Sequence, residues 1–118
     1  MSTNASISVV INDKVHTIYN HWDGYPKGVG NVLNEHYNTE ERAKELISLG
    51  DVSSLTESVE KPEGHSFNTP SNGYSIFYGR DRNEKDTDAR VYSSVKEMLS
   101  YEEDEFNYLF VNGEWKLL

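Results

Sequence analysis

The sequence predicts an α+β fold: an antiparallel sheet of about five to six strands with two to three short helices packed on one face. Three observations lead there. Residues Ala5 to Ile11 and Val15 to Trp22 alternate around an Asn12-Asp13 turn, the two-residue period of a β-hairpin. From Val29 to Gly50 the apolar residues recur instead at helical spacing. The chain ends on Tyr108 to Val111, Asn112-Gly113 and Glu114 to Leu118, the strongest hairpin signal it holds. Strands and helices are grouped rather than strictly alternating, and 118 residues suit a single domain over 1–118.

Met1 to Asn4 read as a frayed tail. Ile7, Val9 and Ile11 share one face of the first strand, and Val15, Thr17 and Tyr19 one face of the second. Gly24 and Pro26 mark a sharp turn after Trp22. Val29, Val32, Leu33, His36 and Tyr37 then form a short amphipathic helix. Asn38 is the expected cap of a second helix, with Glu41 completing a capping box, Ala43, Leu46 and Ile47 as its apolar stripe and Gly50 as its left-handed stop. Asp51 to Leu55 reads as one short turn, and 61–73, with two Pro and two Gly, as a long irregular loop. Tyr74 to Tyr78 is the third strand, Arg80 to Asp88 a charged loop, and Ala89 to Tyr92 the fourth strand. Ser94 and Glu97 make a capping box ahead of Val95, Met98 and Leu99.

With 20 acidic and 11 basic residues the formal net charge is −9. That balance disfavours direct nucleic-acid contact, which needs a basic face, and suits docking on a basic partner. The charge is uneven: residues 1–50 carry net −2 and residues 51–118 net −7. No cysteine is present, which removes disulfides, thiolate catalysis and Cys-based zinc. No apolar run reaches a membrane span and the first residues carry no secretion signal, so a cytoplasmic protein is expected and the Asn4-Ala5-Ser6 sequon is incidental.

Four clusters carry candidate chemistry. His21 and Asp23, with His36 or His65, spell two histidines and a carboxylate, a ligand set used by iron sites, against which stands a turn closed by local hydrogen bonds. Lys27-Gly28-Val29-Gly30 at a helix start offers N–H groups and a cation to a phosphate, or simply close packing of helix on sheet. Arg80 and Arg82 flank Asp81 and either grip an anion or form a solvated ion-pair cluster. Glu102, Glu103, Asp104 and Glu105 form an acidic run suited to a basic groove, or a solvated loop. There is no Gly-x-Ser-x-Gly elbow and no His-Glu-x-x-His, so binding is favoured over catalysis and no cofactor or metal is expected.

His21-Trp22-Asp23-Gly24-Tyr25-Pro26, Leu49-Gly50-Asp51-Val52-Ser53-Ser54-Leu55 and Tyr78-Gly79-Arg80-Asp81-Arg82 follow one another in this order. Over that span, His21 to Arg82, the chain resembles small bacteriophage and prophage proteins that carry an His-x-Asp-Gly-Tyr-Pro motif. The resemblance implies a phage origin and a bacterial host cytoplasm, and brings no catalytic residue or cofactor. The expected function is non-enzymatic inhibition of a host defence system, anti-CRISPR-like, by binding a host protein or complex with a basic surface. Glu102, Glu103, Asp104 and Glu105 are the expected contacts, with Trp22, Tyr25 and Trp115 as aromatic anchors. The alternative is a binder of a phosphate- or nucleotide-type ligand through His21, Trp22, Asp23, Tyr25, Lys27, Gly28, Arg80 and Arg82, which requires these residues to line one pocket.

Overall fold

The computed structural model describes residues 3–102 and 104–118. Seven strands, β1 (Ala5–Ile11), β2 (Lys14–Asn20), β3 (Val52–Ser54), β4 (Ile76–Phe77), β5 (Arg90–Tyr92), β6 (Phe106–Val111) and β7 (Glu114–Leu117), form one sheet ordered β4-β3-β2-β1-β6-β7. The outer edge of β2 is shared lengthwise: Val15 to Thr17 pair with β5 and Asn20 pairs with β3. Four helices complete the α+β fold, α1 (Asn31–His36), α2 (Glu40–Ser48), α3 (Tyr78–Arg82) and α4 (Val95–Tyr101).

Both predicted hairpins form, because their turn residues tolerate left-handed backbone: Asn12 and Asp13 sit at φ 51° and 63°, Asn112 and Gly113 at 54° and 81°. The sheet is mixed rather than wholly antiparallel. β6 runs parallel to β1, and β3 parallel to β2, since each is reached by a long connection that crosses the sheet. Ala5, Ile7, Val9, Ile18, Tyr108 and Phe110 face α1 and α2, burying Leu33, Tyr37, Ala43 and Leu46 between the layers. The opposite face is thinner: α4 lays Met98 on Val15 and Leu109, so the helices occupy both faces of the sheet.

Local differences from the sequence reading have identifiable causes. Asn38 does not cap α2. Thr39 does, its hydroxyl accepting from the Arg42 N–H at 3.2 Å, so Glu41 closes no box. The Ser94 cap of α4 forms as expected, accepting from Glu97 N–H at 3.1 Å. Asp51 to Leu55 is not a turn, because Val52 is held as strand between Asn20 and Phe77. The third strand shortens to two residues and Tyr78 to Arg82 coils into α3, since the Asp81 carboxylate takes the Phe77 N–H at 2.8 Å. The 61–73 loop is irregular, as read. Of the expected tail, Met1 and Ser2 lie outside the described residues, while the Thr3 carbonyl is engaged by Gly24 N–H at 2.7 Å.

Thr39→Ala is expected to cost about 1 kcal/mol in chemical denaturation, the usual worth of an N-cap hydroxyl, and Asn38→Ala a few tenths at most. The reverse order would contradict the cap assignment.

Candidate functional site

Past β2 the chain stays extended along β3, with His21 N–H donating to Val52 O at 3.1 Å and Trp22 N–H to Ser53 O at 3.0 Å. Asp23 then turns into left-handed backbone at φ 57°. Gly24 is buried against the start of β1, where a Cβ would lie 2.8 Å from Thr3 and Asn4 backbone atoms, and its carbonyl accepts the Tyr108 hydroxyl at 2.7 Å. A π-helical turn, Pro26–Gly30, leads into α1. The Asp23 carbonyl accepts Val29 N–H at 2.8 Å and the Tyr25 carbonyl accepts Gly28 N–H at 2.9 Å. Gly28 packs so closely on the Asp23 carbonyl that a Cβ there would overlap it.

This bonding pattern bears directly on the anion reading. The N–H groups of Gly28 and Val29, which would cradle a phosphate, already serve the carbonyls of Tyr25 and Asp23, while Lys27 points into solvent. Two aromatic side chains stand out from the turn, Trp22 at 44% and Tyr25 at 41% exposure. His21 packs edge-on against Trp22 at 4.7 Å, and its Nδ1 is 2.8 Å from the Tyr19 hydroxyl.

Arg80 and Arg82 do not join this turn. Arg80 gives Nε to Asp81 Oδ1 at 2.9 Å, Nη2 to Ser75 O at 3.2 Å and Nη1 to Val59 O, and lies over the Phe77 ring. Arg82 stacks on Phe67 at 4.8 Å. The side chain of Asp81 is fully buried beside His65, whose Nε2 is 3.3 Å from Asp81 Oδ2 and 3.1 Å from Ser75 O. Ser71 N–H donates to His65 Nδ1 at 2.9 Å, which places the ring proton on Nε2. Burial pushes the Asp81 carboxyl up, but the bonds from Arg80 and Phe77 outweigh it and hold it below the usual range. This cluster pins the 61–73 loop to α3. The cleft beside the turn, about 170 Å³ and lined by Pro26, Asn31, Asn34, Trp115 and Leu117 among others, includes neither arginine. His21, Asp23, His36 and His65 are likewise not brought together, and among the described residues no group of three or more His, Cys, Asp or Glu is placed to hold a metal ion.

The acidic segment, by contrast, is tied to β5 and to Asn4, just ahead of β1. Its first residue is committed internally: Glu102 accepts Arg90 Nε at 2.8 Å, Arg90 Nη2 at 3.0 Å and the Tyr92 hydroxyl at 2.5 Å. Arg90 Nη1 reaches Asp51 Oδ1 at 2.8 Å, and Asp51 also accepts Tyr19 N–H at 2.8 Å. Burial raises Glu102, but the bonds from Arg90 and Tyr92 bring its carboxyl below the ordinary range; Asp51, with a single Arg90 bond, is left raised by burial. Glu103 lies outside the described residues. Asp104 is half-buried, bracketed by Asn107 through the Asp104 N–H and carbonyl at 3.4 and 3.2 Å, and its carboxyl is pushed up to about 6 by burial and then by the charge of Glu102. Glu105 is exposed, its N–H donating to Asn4 Oδ1 at 3.4 Å.

Tyr19 joins the two halves. Burial first, then the charges of Asp104 and Asp51, raise its phenol, while its hydroxyl holds His21. Gly24 packs on Thr3 and Asn4, and the Glu105 N–H is bonded to Asn4, so the turn and the Asp104–Glu105 segment both reach the chain just ahead of β1. Comparison with protein-family models, curated proteins and solved structures gives no match. The site is read from its own geometry. Trp115, expected as an anchor, is half-buried, with Nε1 donating to Tyr37 O at 2.9 Å and its ring against Phe110, so it ties β7 to α1. Arg90, Asp51 and Asn107 were not legible as site residues, and His65 was read only as a candidate metal ligand, although an arginine inside the short Ala89 to Tyr92 run, in a chain rich in carboxylates, is a signal of an internal ion pair.

A carboxyl raised above its unfolded value stabilises the fold below about pH 4, and that contribution is lost as pH rises through about 6. Asp104→Asn removes the loss. The variant is expected to melt about 2–5 °C higher than wild type at pH 7.5 and at the same temperature at pH 4, the gain kept small because the group is half in solvent. Glu102 and Asp81 act in the opposite sense at acid pH in both proteins and cancel from the difference. Equal melting at pH 7.5 would contradict the burial of Asp104.

Proposed function

We propose that this protein is a non-enzymatic binding module that docks on a basic surface of a partner protein. The observation that carries this reading is the division of labour among its polar and aromatic side chains. Arg80, Asp81, His65, Arg90, Asp51 and Glu102 satisfy one another, while Trp22 and Tyr25 stand exposed on a braced turn that, like the Asp104–Glu105 segment, is anchored just ahead of β1. Braced aromatic side chains act as anchors because little conformational entropy is lost when they are covered. Around Arg90 three carboxylates, Asp51, Glu102 and Asp104, share one guanidinium, and burial first, then the charge of Glu102, raises Asp104. A lysine or arginine from a partner relieves that excess, which supplies both attraction and orientation.

The resemblance to phage proteins with the His-x-Asp-Gly-Tyr-Pro motif supplies the biological setting: a phage accessory protein acting in the host cytoplasm, and the partner a host defence complex with a nucleic-acid channel, inhibited in the anti-CRISPR manner. No helix of the described residues is long and apolar enough to cross a membrane. A phosphate or nucleotide ligand is less well served, because its N–H cradle and Arg80 are already occupied.

The test is a defence-inhibition assay in the host, paired with affinity capture of the defence complex on immobilised protein. Trp22→Ala and Tyr25→Ala are each expected to weaken capture at least tenfold, and Asp104→Asn with Glu105→Gln to weaken it and flatten its salt dependence. Trp22, Tyr25 and Glu105 are exposed and Asp104→Asn is isosteric, so the variants keep the wild-type circular dichroism. Undiminished inhibition by the combined variant would rule out this surface.

A further inference from the structure

β7 is the end strand of the sheet, and its outer edge is open. Glu114 pairs with Val111, Lys116 with Leu109, and Leu118 N–H donates to Asn107 O at 2.8 Å. In a two-residue hairpin this parity turns the backbone groups of Glu114, Lys116 and Leu118 towards β6 and those of Trp115 and Leu117 outwards. The N–H groups of Trp115 and Leu117 find no acceptor among the described residues. The strand is also apolar where it is most open, with Leu117 at 51% and Leu118 at 48% exposure. A free edge of this kind is a template for another strand.

From this edge we infer that β7 pairs with β7 of a second copy, antiparallel about a two-fold axis at Trp115, so that two sheets become one. The charges select the occupant and the register. Glu114 and Lys116 flank Trp115 on the same face, so an axis at Trp115 sets each Glu114 opposite Lys116 of the other copy, twice over. Hydrogen-bond parity allows the axis to move only one whole residue at a time, and an axis at Lys116 brings lysine against lysine. Lys116 thus guards the edge against the shifted register and complements the one centred on Trp115. In that register Leu117 lies diagonally across from Trp115 of the second copy, on the face shared with the cleft that both residues line. One short edge buries little area, so the dimer is weak and concentration-dependent.

Sedimentation equilibrium over a concentration series tests the pairing. Wild type is expected to rise from 13.5 kDa towards twice that mass. Glu114→Lys and Lys116→Glu, both exposed positions, are each expected to weaken association at least tenfold. Mixing the two variants in equal amounts, or combining both substitutions in one chain, restores it, because opposite charges again face each other. A wild-type mass that stays at 13.5 kDa up to the solubility limit overturns the inference, as does undiminished association of either single variant.

Discussion

The bridge from Arg90 to Asp51 and Glu102 is the interaction on which the arrangement depends. β5 is three residues long and, among the described residues, pairs only with β2, too little to hold a strand and the helix behind it. Arg90 fastens β5 sideways to Asp51, at the junction of α2 and β3, and upwards to Glu102, at the end of α4. Asp51 in turn takes Tyr19 N–H from β2, and its backbone bonds Thr87 and Tyr78. One guanidinium therefore joins the central hairpin, the β3–β4 edge, the α3 region and the α4 layer. The two carboxylates are largely buried, so losing the arginine would strand charge inside the fold rather than merely free it.

The same bridge determines what is left over. Arg90 neutralises Glu102 well and Asp51 less well, and at Asp104 its attraction is outweighed by burial and the charge of Glu102. Asn107 and Asn4 nevertheless hold the segment from Asp104 to Glu105 against the sheet. Among the described residues, a stretch that looks like equivalent acids therefore holds unlike ones: an internal ion-pair partner at Glu102, a half-buried carboxyl at Asp104 and a solvent-facing charge at Glu105. Gly24 and Gly28, with the carbonyls of Asp23 and Tyr25, brace the His21–Gly30 turn that carries Trp22 and Tyr25. Those glycines are explained by close backbone approach, with no phosphate needed.

Much of this was legible in the residues, and the rest fails for a common reason. Hairpins announced themselves because period-two alternation and the dipeptides Asn12-Asp13 and Asn112-Gly113 are local properties. Gly50 and Ser94 also acted as predicted, at φ 81° and as a hydroxyl cap. β3 was missed because Val52-Ser53-Ser54 becomes a strand only through Asn20 and Phe77. The parallel pairing of β1 with β6 has no local signature at all. Arg80 and Asp81 looked like a solvated pair, since nothing near them in sequence shows that His65 will bury the carboxylate. Of the three aromatics expected as anchors, Trp22 and Tyr25 are exposed, whereas Trp115 is half-buried because its indole N–H meets a carbonyl at the distant end of α1.

The Asp104–Glu105 segment is a folded part of the domain, held against the sheet by Asn107 and Asn4. The most direct test of this is a side-chain carboxyl titration of Asp104 by carbon-detected NMR. The account predicts a midpoint of about 6, from burial and the neighbouring Glu102 charge. A midpoint near the ordinary aspartate value of about 3.9 would contradict it, leaving the segment solvated and the surface without its charged half.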